Sequence, residues 1–238
     1  PFLGFSDTTL NHFMLHKVDL PTFYGQAFLP DVCELALEML PYTKRYFEEF
    51  LKTGTIREVR PSELWYTSRT DFSPEALGTE LPAHKNSGFE LLQGPAQFEG
   101  EILGGCIDSM YEMFSGWRYG DMPEVCRNYG LFPSMDDWRG KILLMESCEE
   151  YMPPETYKKA LETLQETGVF DAVSGVLVGK PMDDMYHAEY KKLLVSIIAN
   201  KELPILCNIN VGHAQPRCIL PFGVPAHVDA DAQVIRFG

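Results

Sequence analysis

None of the six cysteines, Cys33, Cys106, Cys126, Cys148, Cys207 and Cys218, forms a C-x-x-C pair. That spacing argues against a zinc ribbon and a dithiol redox site, and it fits reduced, mostly buried thiols in a cytoplasmic protein. No apolar run approaches the roughly 20 residues of a membrane-spanning helix, and no secretory-signal pattern opens the chain. Positive charge is scarce, with 20 Lys plus Arg against 34 Asp plus Glu, a net charge of −14 and a pI near 4.8. Such a surface repels phosphate backbones and anionic lipid, so neither a nucleic-acid nor a membrane partner is expected. Gly104-Gly105 is too short for a phosphate loop, and no G-x-x-x-x-G-K-[ST] occurs. His12 and His16 are spaced i, i+4, but Phe13 stands where H-E-x-x-H has its glutamate. They are expected on a solvated helix face, and no metal or cofactor is expected.

What is present suffices for a folded core: 238 residues, 45% hydrophobic and 12% aromatic. Pro1 to Phe5 reads as the end of a strand running into a helix start at Ser6-Asp7-Thr8, so the chain is expected to begin inside a domain, with an N-terminal portion absent. A helix to about Lys17 and a short strand at Thr22-Phe23-Tyr24 follow. Asp31 with Glu34 resembles a capping box and predicts a helix through Leu40. Pro41 opens the next helix, which stops near Gly54, and Thr55 to Val59 reads as a strand. From Arg60 to Pro95 proline, glycine and serine break the pattern, which predicts a domain connection or functional loop. Beyond it, strands at 141–145, 173–178 and 205–209 alternate with helices at 154–167 and 183–200, giving successive βαβ units and a largely parallel sheet. Short β segments at 218–220, 224–228 and 233–237 end the chain. The expected division is residues 1–60, the remainder of an N-terminal α/β domain; 61–96, a linker and functional loop; and 97–238, a C-terminal domain.

Three positions could carry chemistry. Ser6 lies at a strand-to-helix corner, where a hydroxyl can be exposed and the following N–H groups can face an anion, although a serine there also serves as a helix N-cap. Glu146 closes an apolar strand, at the end where α/β sheets gather ligands; it could orient a histidine or cap the turn, and Glu149 and Glu150 lie close by. His213, after Gly212 and another strand, is a general-base candidate or a hydrogen-bonded loop histidine. A cysteine enzyme using Cys148 or Cys218 beside His213 is a further possibility.

The run Phe2-Leu3-Gly4-Phe5-Ser6-Asp7-Thr8-Thr9-Leu10 with Thr22-Phe23-Tyr24-Gly25, then Lys141-Ile142-Leu143-Leu144-Met145-Glu146, then Gly212-His213 with Leu220-Pro221-Phe222-Gly223-Val224, resembles the LD-carboxypeptidase family of serine peptidases. The branch most resembled is that of microcin C self-immunity, through Thr22-Phe23-Tyr24-Gly25 and Arg60-Pro61-Ser62-Glu63-Leu64-Trp65. The resemblance implies a two-domain α/β fold, a partial flavodoxin-like or Rossmann-like parallel sheet followed by a β/α domain with short terminal β segments. It implies a Ser-Glu-His triad of Ser6, Glu146 and His213 lying between domains, with the Asp7 N–H and a glycine-rich turn upstream of Ser6 as oxyanion donors. The same resemblance implies that the first of the three divisions, 1–60, bears the nucleophile and that the 61–96 loop meets the substrate. A small peptide or peptidyl-nucleotide substrate and a homodimer are further expectations. Cys106 replaces the asparagine usual after Gly104-Gly105, and Trp65-Tyr66-Thr67-Ser68 replaces a more acidic run. Gly105 and Trp65 are the remaining substrate-binding candidates, Trp65 as a stacking surface for a purine. The rival substrate is a muramoyl tetrapeptide, and the rival class a non-catalytic module that binds a small ligand.

Overall fold

A computed structural model describes residues 1–238. The chain opens with β1 (Phe2–Gly4), a 3-10 turn at Ser6–Thr8, α1 (Thr9–His16) and β2 (Thr22–Tyr24). β1 runs parallel to β2 in a small three-stranded sheet. α2 (Pro41–Thr53) starts on its proline and ends at Gly54, and it buries Thr43, Tyr46 and Phe50 along one stripe. Next come β3 (Glu58–Val59), β4 (Leu64–Tyr66), β5 (Ala83–Lys85) and β6 (Glu90–Gln93).

The predicted helix over 31–40 does not form. A π-type turn at Phe28–Val32 is followed by bends, because both acids of the cap signal have tertiary partners. Asp31 accepts from the Ala27 N–H and pairs with Arg217, while Glu34 pairs with Arg69. The local signal is overridden by contacts far away in sequence.

The second half builds β7 (Gln97–Cys106), α3 (Ile107–Ser115), α4 (Met122–Tyr129), α5 (Met135–Trp138), β8 (Ile142–Glu146), α6 (Pro154–Glu166), α7 (Val169–Ala172), β9 (Gly175–Gly179), α8 (His187–Ile197), β10 (Ile205–Ile209), β11 (Leu220–Phe222), β12 (Pro225–Asp229) and β13 (Val234–Phe237). The large sheet has the order β3-β13-β12-β7-β8-β9-β10-β6. Its centre, β7 to β10, is parallel, and β12, β13, β3 and β6 add antiparallel edges. β8, β9 and β10 are buried at every residue, which is why they read as continuous apolar runs rather than alternating ones. Tyr157, Ala160, Leu161 and Leu164 form the buried stripe of α6. α8 starts at His187, later than the predicted Asp183, because Asp183 bonds Ser68 and Tyr151 and Asp184 bonds Lys180 and His187.

The two sheets interlock. β11, from late in the chain, completes the small sheet against β2, and β3 and β6, from before residue 97, edge the large one. α1 packs across β7 and α3, and Thr9 ties them: its hydroxyl donates to the Ser6 carbonyl at 2.6 Å and accepts from the Cys106 N–H at 2.9 Å. A Cβ on Gly105, whose φ is +144°, would lie 2.4 Å from Thr9 Oγ1 and 2.7 Å from the Tyr24 ring. The bare backbone at Gly105 therefore lets the Ser6 corner sit at the carboxyl ends of the parallel strands. No helix is long and apolar enough to cross a membrane.

Candidate active site

Ser6, Glu146 and His213 meet where the two sheets abut. Ser6 sits between β1 and its 3-10 turn with φ of +63°, a left-handed conformation that costs a non-glycine residue energy and holds its hydroxyl out of the chain path. Its N–H donates to Tyr24 Oη at 3.1 Å. Glu146 is the last residue of β8 and is 2% exposed. His213 follows β10 on a loop that approaches Glu146 closely: at Gly212, φ +89°, a Cβ would lie 2.3 Å from Glu146 Oε2. Only glycine fits there.

The hydrogen bonds form one chain. His213 Nε2 is 3.1 Å from Ser6 Oγ, and His213 Nδ1 is 2.7 Å from Glu146 Oε2. The His213 backbone N–H donates to the same Oε2 at 3.2 Å, and the Tyr24 hydroxyl donates to Oε1 at 2.6 Å. Both carboxylate oxygens are thus satisfied in a buried place where an unpaired charge would be costly. Arg217, 4% exposed, holds the histidine loop: its guanidinium donates to the carbonyls of Gly212 and His213 and pairs with Asp31 Oδ1 at 2.9 Å. The Phe5 ring meets the imidazole edge-on at 4.8 Å.

The electrostatics favour a charged imidazole. Burial opposes the cation, but the Glu146 charge and hydrogen bond, joined by Glu149, raise the His213 pKa to about 9. Glu149 Oε2 lies 3.0 Å from His213 Nε2, and that hydrogen bond lowers the Glu149 pKa to about 2, although burial pulls the other way. Burial and then the Glu146 charge push the Tyr24 phenol far above its ordinary value, so it is a donor at every physiological pH.

Beside Ser6 and His213 lies a cleft of about 670 Å³. Its lining includes Ser6, His213, Glu149 and Arg217 together with Leu29, Glu34, Arg69 and Phe72. Gly105 and Trp65 do not line it. Gly105 is buried behind the Ser6 corner, and Trp65 is stacked on His84 at 4.2 Å with the Lys180 ammonium 4.9 Å from its ring centre. Asp7 follows Ser6 as the second residue of the 3-10 turn, where a backbone N–H has no partner within the turn. Its carboxylate accepts from Ser109 at 3.1 Å.

Cys106, Glu146 and His213 bring ligand-type atoms within 4.8 Å of one another. The Glu146 oxygens and the imidazole are already bonded within the chain from Tyr24 to Ser6, and burial, then the Glu146 charge, hold the Cys106 thiol far above its ordinary pKa. Cys148 and Cys218 are also buried, with pKa values raised chiefly by burial, that of Cys218 to about 12. Five of the six thiols are buried and Cys33 is exposed. His12 corrects the expectation of a solvated face: it is 1% exposed, bonded to Thr22 Oγ1 at 2.7 Å and facing the Gly4 carbonyl at 3.3 Å. Tyr24, in turn, is a site residue that periodicity alone cannot separate from an ordinary core aromatic.

The profile of the LD-carboxypeptidase C-terminal domain matches residues 99–228, more than half of the chain. The chain belongs to the LD-carboxypeptidase family. It is 25% identical over 241 residues to the microcin C7 self-immunity protein MccF of Escherichia coli, covering 96% of this chain and 62% of that protein. A crystal structure of an MccF-like protein from Streptococcus pneumoniae in complex with AMP superposes with a TM-score of 0.98 at 59% identity, covering all of this chain and 69% of that one. The structure of MccF in complex with glutamyl sulfamoyl guanosine has the same fold, with a TM-score of 0.76 at 23% identity over 99% of this chain and 66% of that one.

Proposed function

We propose that this family member is a serine hydrolase that cleaves the amide bond of a peptidyl or aminoacyl nucleotide with Ser6, His213 and Glu146. The observation that carries the reading is the unbroken hydrogen-bonded sequence Ser6 Oγ, His213, Glu146, assembled from three distant parts of the chain. In the reaction His213 Nε2 takes the Ser6 proton as Oγ attacks the amide carbonyl, then delivers it to the leaving nitrogen. A water activated by the same nitrogen hydrolyses the acyl-serine. Glu146 fixes the tautomer with the proton on Nδ1 and stabilises the transient imidazolium, and Tyr24 and the His213 backbone N–H fix Glu146 in turn. The Asp7 N–H is the oxyanion donor this stretch supplies, because the Ser6 N–H is spent on Tyr24.

The nucleotide half of the reading rests on the likeness to the AMP-bound streptococcal protein and not on Trp65. The L,D-peptide bond of a muramoyl tetrapeptide is the second reading, favoured by the family whose C-terminal profile matches. Division at residues 60 and 96, a homodimer and a cytoplasmic setting belong to the same proposal; the free thiols suit a reducing compartment. The test is mass-spectrometric hydrolysis of aspartyl sulfamoyl-adenosine and of a muramoyl tetrapeptide, with Ser6→Ala alongside. Cleavage of the first alone, silenced by Ser6→Ala, is the expected outcome. Cleavage of the tetrapeptide alone moves the assignment to cell-wall chemistry, and turnover that survives Ser6→Ala removes the triad.

A further inference from the structure

His213 Nε2 has two neighbours competing for one position. Ser6 Oγ is 3.1 Å away and Glu149 Oε2 is 3.0 Å away. A base that accepts the serine proton must present a lone pair at Nε2, whereas an ionised carboxylate can only accept, and at 3.0 Å it requires a proton there. The reactive Ser6 contact, in which Oγ–H donates to the Nε2 lone pair, and the Glu149 contact therefore need different protonation states of His213. With Glu149 in place, Nε2 carries a proton and Ser6 has no base; for Ser6 to react, Glu149 must find another partner.

The charges around Glu149 indicate what that partner is. Arg69 is committed to Glu34, and Arg217 to Asp31 and two loop carbonyls. Arg118, the other cation whose charge reaches Glu149, pairs with Glu150 at 2.9 Å and Asp7 at 3.7 Å. Lys180 is paired with Asp184. The groups facing His213 itself are Glu146 on β8, Glu149 beyond it, Arg217 on its own loop, Ser6 at the β1 corner, and Cys106 at the end of β7. Glu149 is thus the one charged cleft side chain whose only close countercharge is the catalytic imidazole. Its side chain is 61% exposed, so a ligand can reach it.

We propose that Glu149 is the subsite for a primary ammonium group of the substrate, and that pairing with this group frees His213 to serve Ser6. The proposal rests on the hydrolase reading above and narrows it. The ammonium must lie close to the scissile carbonyl, since Glu149 Oε2 and Ser6 Oγ lie 3.0 and 3.1 Å from the same imidazole nitrogen. An α-nitrogen, about 2.5 Å from its own carbonyl carbon by bond geometry, meets that requirement. The favoured substrate is then an aminoacyl compound with a free α-amine, in preference to one whose α-nitrogen is acylated. No residue is altered covalently in this step: the ammonium replaces the imidazolium as the partner of Glu149, and the imidazolium loses its Nε2 proton to solvent.

The deciding experiment is calorimetric binding of aspartyl sulfamoyl-adenosine and of its N-acetyl derivative to Ser6→Ala and to Ser6→Ala/Glu149→Gln. Expected is at least a 10-fold preference for the free amine in the first protein, falling to within about twofold in the second. Equal affinities, a preference that survives Glu149→Gln, or failure of both ligands to bind would each overturn the subsite. In parallel, the pH dependence of kcat/KM for any cleaved substrate is compared between the unaltered protein and Glu149→Gln. The acid limb is expected to move to lower pH in the variant, because one of the two carboxylates holding the His213 proton is gone; an unmoved limb denies Glu149 its control of His213. If the unaltered protein cleaves neither ligand, the aminoacyl-nucleotide reading falls while the binding comparison still decides the ammonium subsite.

Discussion

His213 and His12 are both buried histidines with both ring nitrogens engaged, yet their surroundings send them in opposite directions. At the junction of the sheets, His213 is bracketed by Glu146 and Glu149, and its pKa rises to about 9. On α1, His12 meets only the Thr22 hydroxyl and the Gly4 carbonyl among edge-on and tilted aromatic rings, and burial, partly offset by that carbonyl, lowers its pKa to about 4. Burial alone penalises the charged ring in both places; what differs is whether the fold places carboxylates around it. One region surrounds its buried histidine with carboxylates, and the other uses the same side chain, neutral, to fasten a helix to a sheet.

The sharpest way to break this contrast is substitution on each side. Ser6→Ala or His213→Gln is expected to lower turnover about 1000-fold or more, with the melting transition little changed. His12→Gln is expected to leave kcat within a few-fold. A silent His12→Gln whose melting transition is unchanged, or an active His213→Gln, would erase the distinction. The pair is best assayed on one substrate, with circular dichroism as the check on folding.

The next effect is on stability and runs opposite ways for the two residues. His12 binds its proton in the unfolded chain near 6.5 but in the folded protein only near 4, so its contribution to stability is present above 6.5 and is lost as pH falls toward 4, by roughly 3 kcal/mol over that window. His213 binds its proton more tightly when folded. Its contribution is full below 6.5 and is lost as pH rises through about 9. Urea denaturation at pH 4.5 and 7 should show an acid-side loss that shrinks in His12→Gln and persists in His213→Gln. The same loss in both variants would mean that His12 is not the group responsible.

This contrast also marks how much was legible in the residues themselves. Glu146 and His213 stand at the ends of apolar runs, where a parallel sheet collects its chemistry, and Gly212 announces the close approach, so strand-end position identifies them as candidates. The resemblance joins them to Ser6. His12 does not read out, because its i, i+4 spacing to His16 describes the helix face but not the three-stranded sheet that covers it, whose last strand arrives some 200 residues later. Long-range partners likewise dissolve the expected helix after Asp31. β7 escapes because Gly100, Gly104 and Gly105 interrupt its strand pattern, although the fold needs them for close packing.

Tyr24 gives the smallest and most discriminating effect, since it touches both regions: its ring packs 5.2 Å from that of His12, and its hydroxyl ends on Glu146. In Tyr24→Phe the ring packing stays, while Glu146 Oε1 loses its donor and the Ser6 N–H loses its acceptor. A carboxylate with one donor fewer holds the His213 proton more firmly, so the acid limb of kcat/KM is expected to move up by about half a pH unit, in the sense opposite to Glu149→Gln. The left-handed backbone at Ser6 also loses an anchor, and kcat is expected to fall about 10-fold, the order of one lost charge-assisted hydrogen bond. Because His12 keeps its aromatic neighbour, the acid-side stability loss should match that of the unaltered protein. A changed acid stability with normal turnover would show that Tyr24 belongs to the packing around His12 and not to the orientation of Glu146.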